Sequence, residues 1–231
     1  MFQGFPEETV RFFLDLRFHN ELPWFHAQRE RYEAYVRKPF REFIEAMAPT
    51  ALQIAGDIDT RPNRCLARIN RDIRYTRDKS PYRDHMWLLF RRSGEEREHS
   101  VMYWFELSPE VVEWGLGFWG PNRPAMDALR RRMTEKPREV RRVLKQCGIP
   151  DEDLLIYGDR YQRMKPPPAM PAELAALYPC KELYVKRTGV PLAEAYRPEL
   201  VDHVSRDFLR LAPLYHLLRS AADEGLAQLN G

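Results

Sequence analysis

The sequence predicts an α+β fold, a central antiparallel or mixed sheet with N-terminal and C-terminal helices packed on it. Three observations point there. Helical periodicity of apolar residues dominates both ends of the chain, and short strand-like segments cluster in the middle. Regular β-α-β alternation is missing. No glycine-rich phosphate loop occurs, neither G-x-G-x-x-G nor G-x-x-x-x-G-K-[ST]. At 231 residues the chain is read as a single domain, 1–231, with a C-terminal extension as an option from about residue 169.

Phe5 to Asn20 reads as an amphipathic helix, with Pro6 near its start and Glu7 and Glu8 in its first turn. Asn20 suits a C-terminal cap. A second helix starts near Pro23 and carries Trp24, Phe25, Tyr32 and Val36. Pro39 demands a kink or restart, after which the pattern runs to Pro49. Cys65 to Asn70 alternates like a strand. His85 to Arg91, Ser100 to Leu107 and Val111 to Trp119 follow as three more, the last two forming a hairpin across Ser108-Pro109-Glu110. Gly115 and Gly117 in the fourth strand suggest a bulge or a close backbone approach. Helices are expected over Pro124 to Thr134 and Pro137 to Cys147, and short strands at Leu154 to Tyr157 and Leu183 to Lys186. The proline-rich strap 164–168 reads as extended, and Leu200 to Leu218 as one long amphipathic helix.

Composition excludes several classes. With 44% hydrophobic and 12% aromatic residues the chain is not disordered. A chain of this length buries about 70% of its unfolded surface, so disulfides and metals are not needed for stability. Apolar runs fall far short of the roughly 20 residues that span a bilayer. The opening Met1-Phe2-Gln3-Gly4-Phe5 has no basic or apolar leader character, so a cytoplasmic protein with no membrane partner is expected. Cys65, Cys147 and Cys180 are widely spaced, and no H-E-x-x-H or C-x-x-C occurs, so no metal site is indicated. No cofactor and no oligomeric state can be assigned from the residues.

The net charge of +3 conceals a segregation. Residues 61–92 carry ten basic and three acidic residues, and residues 123–145 nine and three. These blocks, +7 and +6, leave −10 on the rest of the chain. Such blocks suit phosphate, carboxylate or nucleic acid. Arg130, Arg131, Arg132, Arg138, Arg141 and Arg142 fall on expected helices, where a charge run reads as a solvated face.

The densest chemistry lies in residues 68–82. Arg68, Arg71 and Arg74 offer forks for a planar anion, with Asp72 and Asp78 to orient them or act as bases. Lys79 and Tyr82 are candidate proton donors. Asp72, Asp78, Lys79 and Tyr82 are therefore the catalytic candidates, and Arg68, Arg71 and Arg74, with Trp119, the ligand-binding ones. Trp24, Tyr103 and Trp104 are further pocket candidates, although aromatics at strand spacing more often build the core. Glu33 and Glu106 are possible acidic partners. The same residues also read as an Arg-Asp network that pins a loop, with Glu33 as a partner.

The pattern Arg-x-x-Arg-Asp-x-Arg-Phe/Tyr-x-x-Asp-Lys-x-x-Tyr, filled here by Arg68, Arg71, Asp72, Arg74, Tyr75, Asp78, Lys79 and Tyr82, resembles the signature of the domain of unknown function 2461 family. Asn20, Trp24, Phe25, Arg29, Tyr32, Glu33 and Pro39 are similar to that family too, as is Gly115-x-Gly117-x-Trp119-x-Pro121. Tyr75 replaces the commoner Phe. The resemblance implies a single domain and carries no assigned activity. The function expected is a binder of, or enzyme on, a small anionic ligand at the basic strand-to-loop cluster. The alternatives are a nucleic-acid-binding module and a partner-binding scaffold.

Overall fold

Proline placement and aromatic burial explain most of the helical architecture. The structure, a computed structural model, describes residues 2–149 and 153–230. It resolves into two compact units whose segments alternate along the chain. The first comprises Met1–Phe90, Trp104–Trp114 and Gly189–Ser205, the second Arg91–Tyr103, Gly115–Thr188 and Arg206–Gly231.

In the first unit, α1 (Glu7–Phe18) begins after Pro6 and buries Phe12, Phe13 and Leu16 completely. Its cap is His19, whose N–H reaches the Asp15 carbonyl, so Asn20 is free for another task. Next come α2 (Leu22–Ala27), α3 (Arg29–Tyr32), a π-helical turn at Glu33–Arg37, and α4 (Lys38–Ile54). Pro39 accounts for the π turn, because it has no N–H to offer the Tyr35 carbonyl four residues back. The Thr9 hydroxyl, from fully buried Thr9, donates to that carbonyl instead. The expected restart is thus present. The expected end at Pro49 is not. Helix α4 continues to Ile54, where burial of Ala51 and Ile54 and a Thr50–Ser205 hydroxyl bond of 2.9 Å offset the proline. Phe2, Phe5, Phe40, Phe43 and Phe105 form one aromatic core, with Phe5 stacked on Phe105 at 5.7 Å.

Pro62 starts the short α5 (Pro62–Cys65), so the strand expected at Cys65 to Asn70 does not form. Only isolated bridges remain, Leu66 to Leu88 and Asn70 to Tyr82. The physical reason is a competing donor from further along the chain. The Arg83 guanidinium takes the carbonyls of Arg68 (2.8 Å) and Asn70, acceptors that a neighbouring strand would need.

The strands are β1 (Met86–Arg91), β2 (Val101–Leu107), β3 (Val112–Phe118), β4 (Leu154–Tyr157) and β5 (Tyr184–Arg187). They form a five-stranded antiparallel sheet in the order β1-β2-β3-β5-β4. The turn between β2 and β3 is the expected one, closed by Ser108 N–H on the Val111 carbonyl at 2.9 Å.

The second unit carries α6 (Arg123–Glu135), capped by the Asn122 side chain on the Ala125 N–H, and α7 (Pro137–Gln146). The short α8 (Ala172–Leu177) precedes β5, which pairs with β4 in the register Leu154 to Arg187. Gly117 meets the backbone of β5. A methyl group there would lie 2.4 Å from the Tyr184 Cα. Residues 164–167 are in neither helix nor strand.

The single helix expected over Leu200 to Leu218 is two, α9 (Leu200–Arg210) and α10 (Ala212–Asn230). Pro213 withholds the N–H that the Leu209 carbonyl would accept, and the helix restarts there. Arg130 also departs from expectation. It is 5% exposed, with its guanidinium on the carbonyls of Tyr178 (2.7 Å) and Cys180 rather than in solvent. Burial of a cation is tolerated because those carbonyls and Asp127 satisfy its donors. Arg131 and Arg132 pair with Glu224, and Arg141 with Glu173. No described helix is long and apolar enough to cross a membrane.

Candidate ligand cleft and the arginine-aspartate loop

The signature residues build a loop with a closed neck. Arg71 N–H donates to the Pro81 carbonyl and Arg83 N–H to the Ile69 carbonyl, both at 2.9 Å. Asn20 locks the neck from outside. Its Nδ2 donates to the Tyr82 carbonyl at 2.9 Å, and its Oδ1 accepts from the Tyr82 N–H at 3.0 Å. The side chain expected to cap a helix instead pins the loop to the junction of α1 and α2.

Beyond the neck both acids are paired with arginines of the same loop. Asp72 accepts two bonds from Arg74, 2.9 and 2.7 Å. Asp78 pairs with Arg71 and accepts the Ser80 N–H at 2.9 Å. Lys79 Nζ donates to the Ile73 carbonyl at 2.8 Å. Hydrogen bonds from Arg74 hold the Asp72 carboxyl down to about 2, and those from Ser80, then Arg71, do the same for Asp78. Both acids are exposed carboxylates at neutral pH. The loop is thus an exposed ribbon whose two aspartates are each paired with an arginine of the loop.

The concave surface lies beside the neck. A cleft of about 440 Å³ opens between α2, α3, the π turn and residues 62–70. Its charged and polar lining includes Arg29, Glu33, Arg37, Arg68 and Asn70. Its apolar lining includes Phe25, Tyr32, Leu66, Ile69 and Tyr82. A more open groove adjoins it, sharing His26, Arg29 and Glu33 and adding Lys38. Of the residues singled out in the signature, Arg68 and Tyr82 line the cleft. Arg71, Asp72, Arg74, Asp78 and Lys79 do not. Trp119 belongs to the second unit, where it is 53% exposed with the Arg97 guanidinium 3.6 Å from its ring centroid.

The cleft is electropositive. Glu33 is bound by Arg37 at 3.0 Å through both oxygens. Arg29 and Arg68 make no ion pair among the described residues. Its aromatic wall is firm, because Phe25 stacks on Tyr82 at 3.9 Å and tilts against Tyr32 at 5.2 Å. Burial pushes the Tyr32 phenol up to about 12, with Glu33 adding to the effect. Burial also raises the Tyr82 phenol, opposed by the positive charge of Arg29. Both are therefore neutral hydrogen-bond donors at neutral pH. Among the described residues no group of three or more His, Cys, Asp or Glu side chains is placed to hold a metal ion.

Arg29 and Arg37 are functional candidates that the basic-block reading passed over. Their signal was present in the spacing. Arg29, Glu33 and Arg37 recur every four residues and so share one helix face. What hid them was the balanced charge of residues 30–45, where four acids offset four bases and no basic block stands out.

No curated protein and no solved structure matches the chain. The family described as Conserved hypothetical protein (DUF2461) matches residues 8–217, a span that takes in both the loop and the cleft, and the chain belongs to that family.

Proposed function

We propose that the protein binds a small anion, phosphate- or carboxylate-bearing, in the cleft of the first unit. The observation that carries this reading is the pair of guanidiniums, Arg29 and Arg68, that line one cavity without an acidic partner among the described residues. Guanidinium donors bind oxyanions through charge-assisted bonds, and an apolar floor weakens the competition from water. The volume falls within the usual range for small-molecule sites. On this reading the arginine-rich signature works mainly as scaffold. Its self-paired loop holds the neck, and the neck sets Arg68 and Tyr82 at the cleft wall. The buried cysteines Cys65, Cys147 and Cys180 form no disulfide among the described residues, which favours a reducing compartment such as the cytoplasm.

The test is calorimetric titration with inorganic phosphate, with acetate as the carboxylate arm. Arg29→Ala combined with Arg68→Ala should abolish the heat of binding. Arg74→Ala, on the far side of the neck, should leave it unchanged. Equal binding by wild type and the double variant would remove this cleft from consideration.

A further inference from the structure

The cleft offers more than charge, and its remaining features narrow the ligand. Tyr82 is only 3% exposed, lines the cleft, and its hydroxyl has no hydrogen-bond partner among the described residues. Tyr32, 9% exposed on the same wall, is in the same position. Neither oxygen is among the buried, unpaired side-chain atoms, so both reach the open space of the cavity and are available to a polar group supplied from outside the chain. A bare inorganic anion would answer the guanidiniums but leave the wall of Phe25, Tyr32, Leu66 and Ile69 facing water.

Resting on the anion reading above, we propose that the ligand is a single-ring aromatic acid, a monophosphate or monocarboxylate, whose oxyanion is bound jointly by the Arg29 guanidinium and the Tyr82 hydroxyl. The ring lies against the aromatic wall, and Arg68 completes the charge neutralisation. Two further facts support the pairing of Arg29 with Tyr82. The Arg29 charge acts on the Tyr82 phenol, which requires proximity, and the phenol stays protonated at neutral pH and so donates. The Phe25–Tyr82 stack and the Asn20 clamp hold the hydroxyl in place before any ligand arrives, which lowers the entropy cost of binding.

Phenyl phosphate, benzoate and inorganic phosphate are the probes, titrated calorimetrically into wild type, Tyr82→Phe and Arg29→Ala. Tyr82→Phe keeps the stacked ring, so its melting temperature should stay within a degree or two of wild type. At least one of the two ring-bearing probes should bind wild type about ten-fold or more tighter than inorganic phosphate, since a ring covers apolar wall. Tyr82→Phe should weaken that probe about ten-fold, the scale of one hydrogen bond to a charged group. If phenyl phosphate and benzoate bind no tighter than inorganic phosphate while Arg29→Ala still weakens all three, the ring is refuted and the anion site survives. If the ring-bearing probe binds Tyr82→Phe as well as wild type, the hydroxyl has no role. If none of the three binds wild type, the anion reading fails with it.

Discussion

Replacing Asn20 by Ala removes both bonds that hold the Tyr82 backbone, 2.9 Å to its carbonyl and 3.0 Å from its N–H. Tyr82 is 3% exposed, so water does not replace both partners freely. Leaving a buried backbone group unsatisfied costs about 1–3 kcal/mol each, so the pair should cost about 3 kcal/mol once partial hydration is allowed. For a chain of this size that is a fall of about 6–12 °C in melting temperature. Asn20→Asp should be no better, because its carboxylate keeps the acceptor for the Tyr82 N–H but faces the Tyr82 carbonyl with a second acceptor. Differential scanning calorimetry gives the stability. Hydrogen exchange at the Tyr82 amide gives the local readout, with protection expected in wild type and lost in Asn20→Ala. A variant with wild-type melting and a still-protected Tyr82 amide would show that the neck is held by something other than Asn20. Phosphate affinity should fall alongside stability, since Tyr82 and Arg68 are placed by this neck.

Other perturbations follow from the same geometry. Gly117→Ala should destabilise the protein by at least about 3 kcal/mol in urea denaturation, because its methyl group would lie 2.4 Å from the Tyr184 Cα and neither backbone can yield. Gly120→Ala, with nothing within 4 Å, should stay within about 0.5 kcal/mol of wild type. The Asp72 and Asp78 carboxyls, lowered from 3.8 to about 2, contribute order to the loop above pH 4 and lose it as the pH falls through 2. Carboxyl chemical shifts should therefore titrate near 2, and midpoints near 4 would show that Arg71 and Arg74 do not pair with them in solution. At the alkaline end the sign reverses. Tyr32, raised from 10.0 to about 12, favours the folded state below pH 10, and that contribution is lost as the pH rises through 12. Its full size is about 3 kcal/mol. Tyr32→Phe should flatten the decline in stability between pH 9 and 12, and an unchanged decline would mean that the phenol is not buried.

The element types were legible where one local force dominates. Helix α1, the β2–β3 hairpin and α6 to α7 follow from apolar periodicity, proline starts and turn chemistry, which neighbouring residues supply. Reading failed where a distant side chain or a proline's missing donor decided the outcome. Arg83 took the carbonyls that would have made Cys65 to Asn70 a strand, and Pro213 divided the last helical run. Pro49 erred the other way, because tertiary burial carried α4 past it.

The candidate site shows the same division. The sequence by itself determined the family, the concentration of positive charge in residues 61–92, and the nomination of Arg68 and Tyr82. Proximity in the chain made Arg71, Asp72, Arg74, Asp78 and Lys79 look equally apt. Only the tertiary structure separated them, because opposite charges a few residues apart in a loop neutralise one another locally. A cleft instead needs walls from distant segments. Folding brings Arg29, Glu33 and Arg37 from the N-terminal helices against residues 62–70, and because Arg37 takes Glu33, Arg29 and Arg68 line one cavity without an ion pair among the described residues.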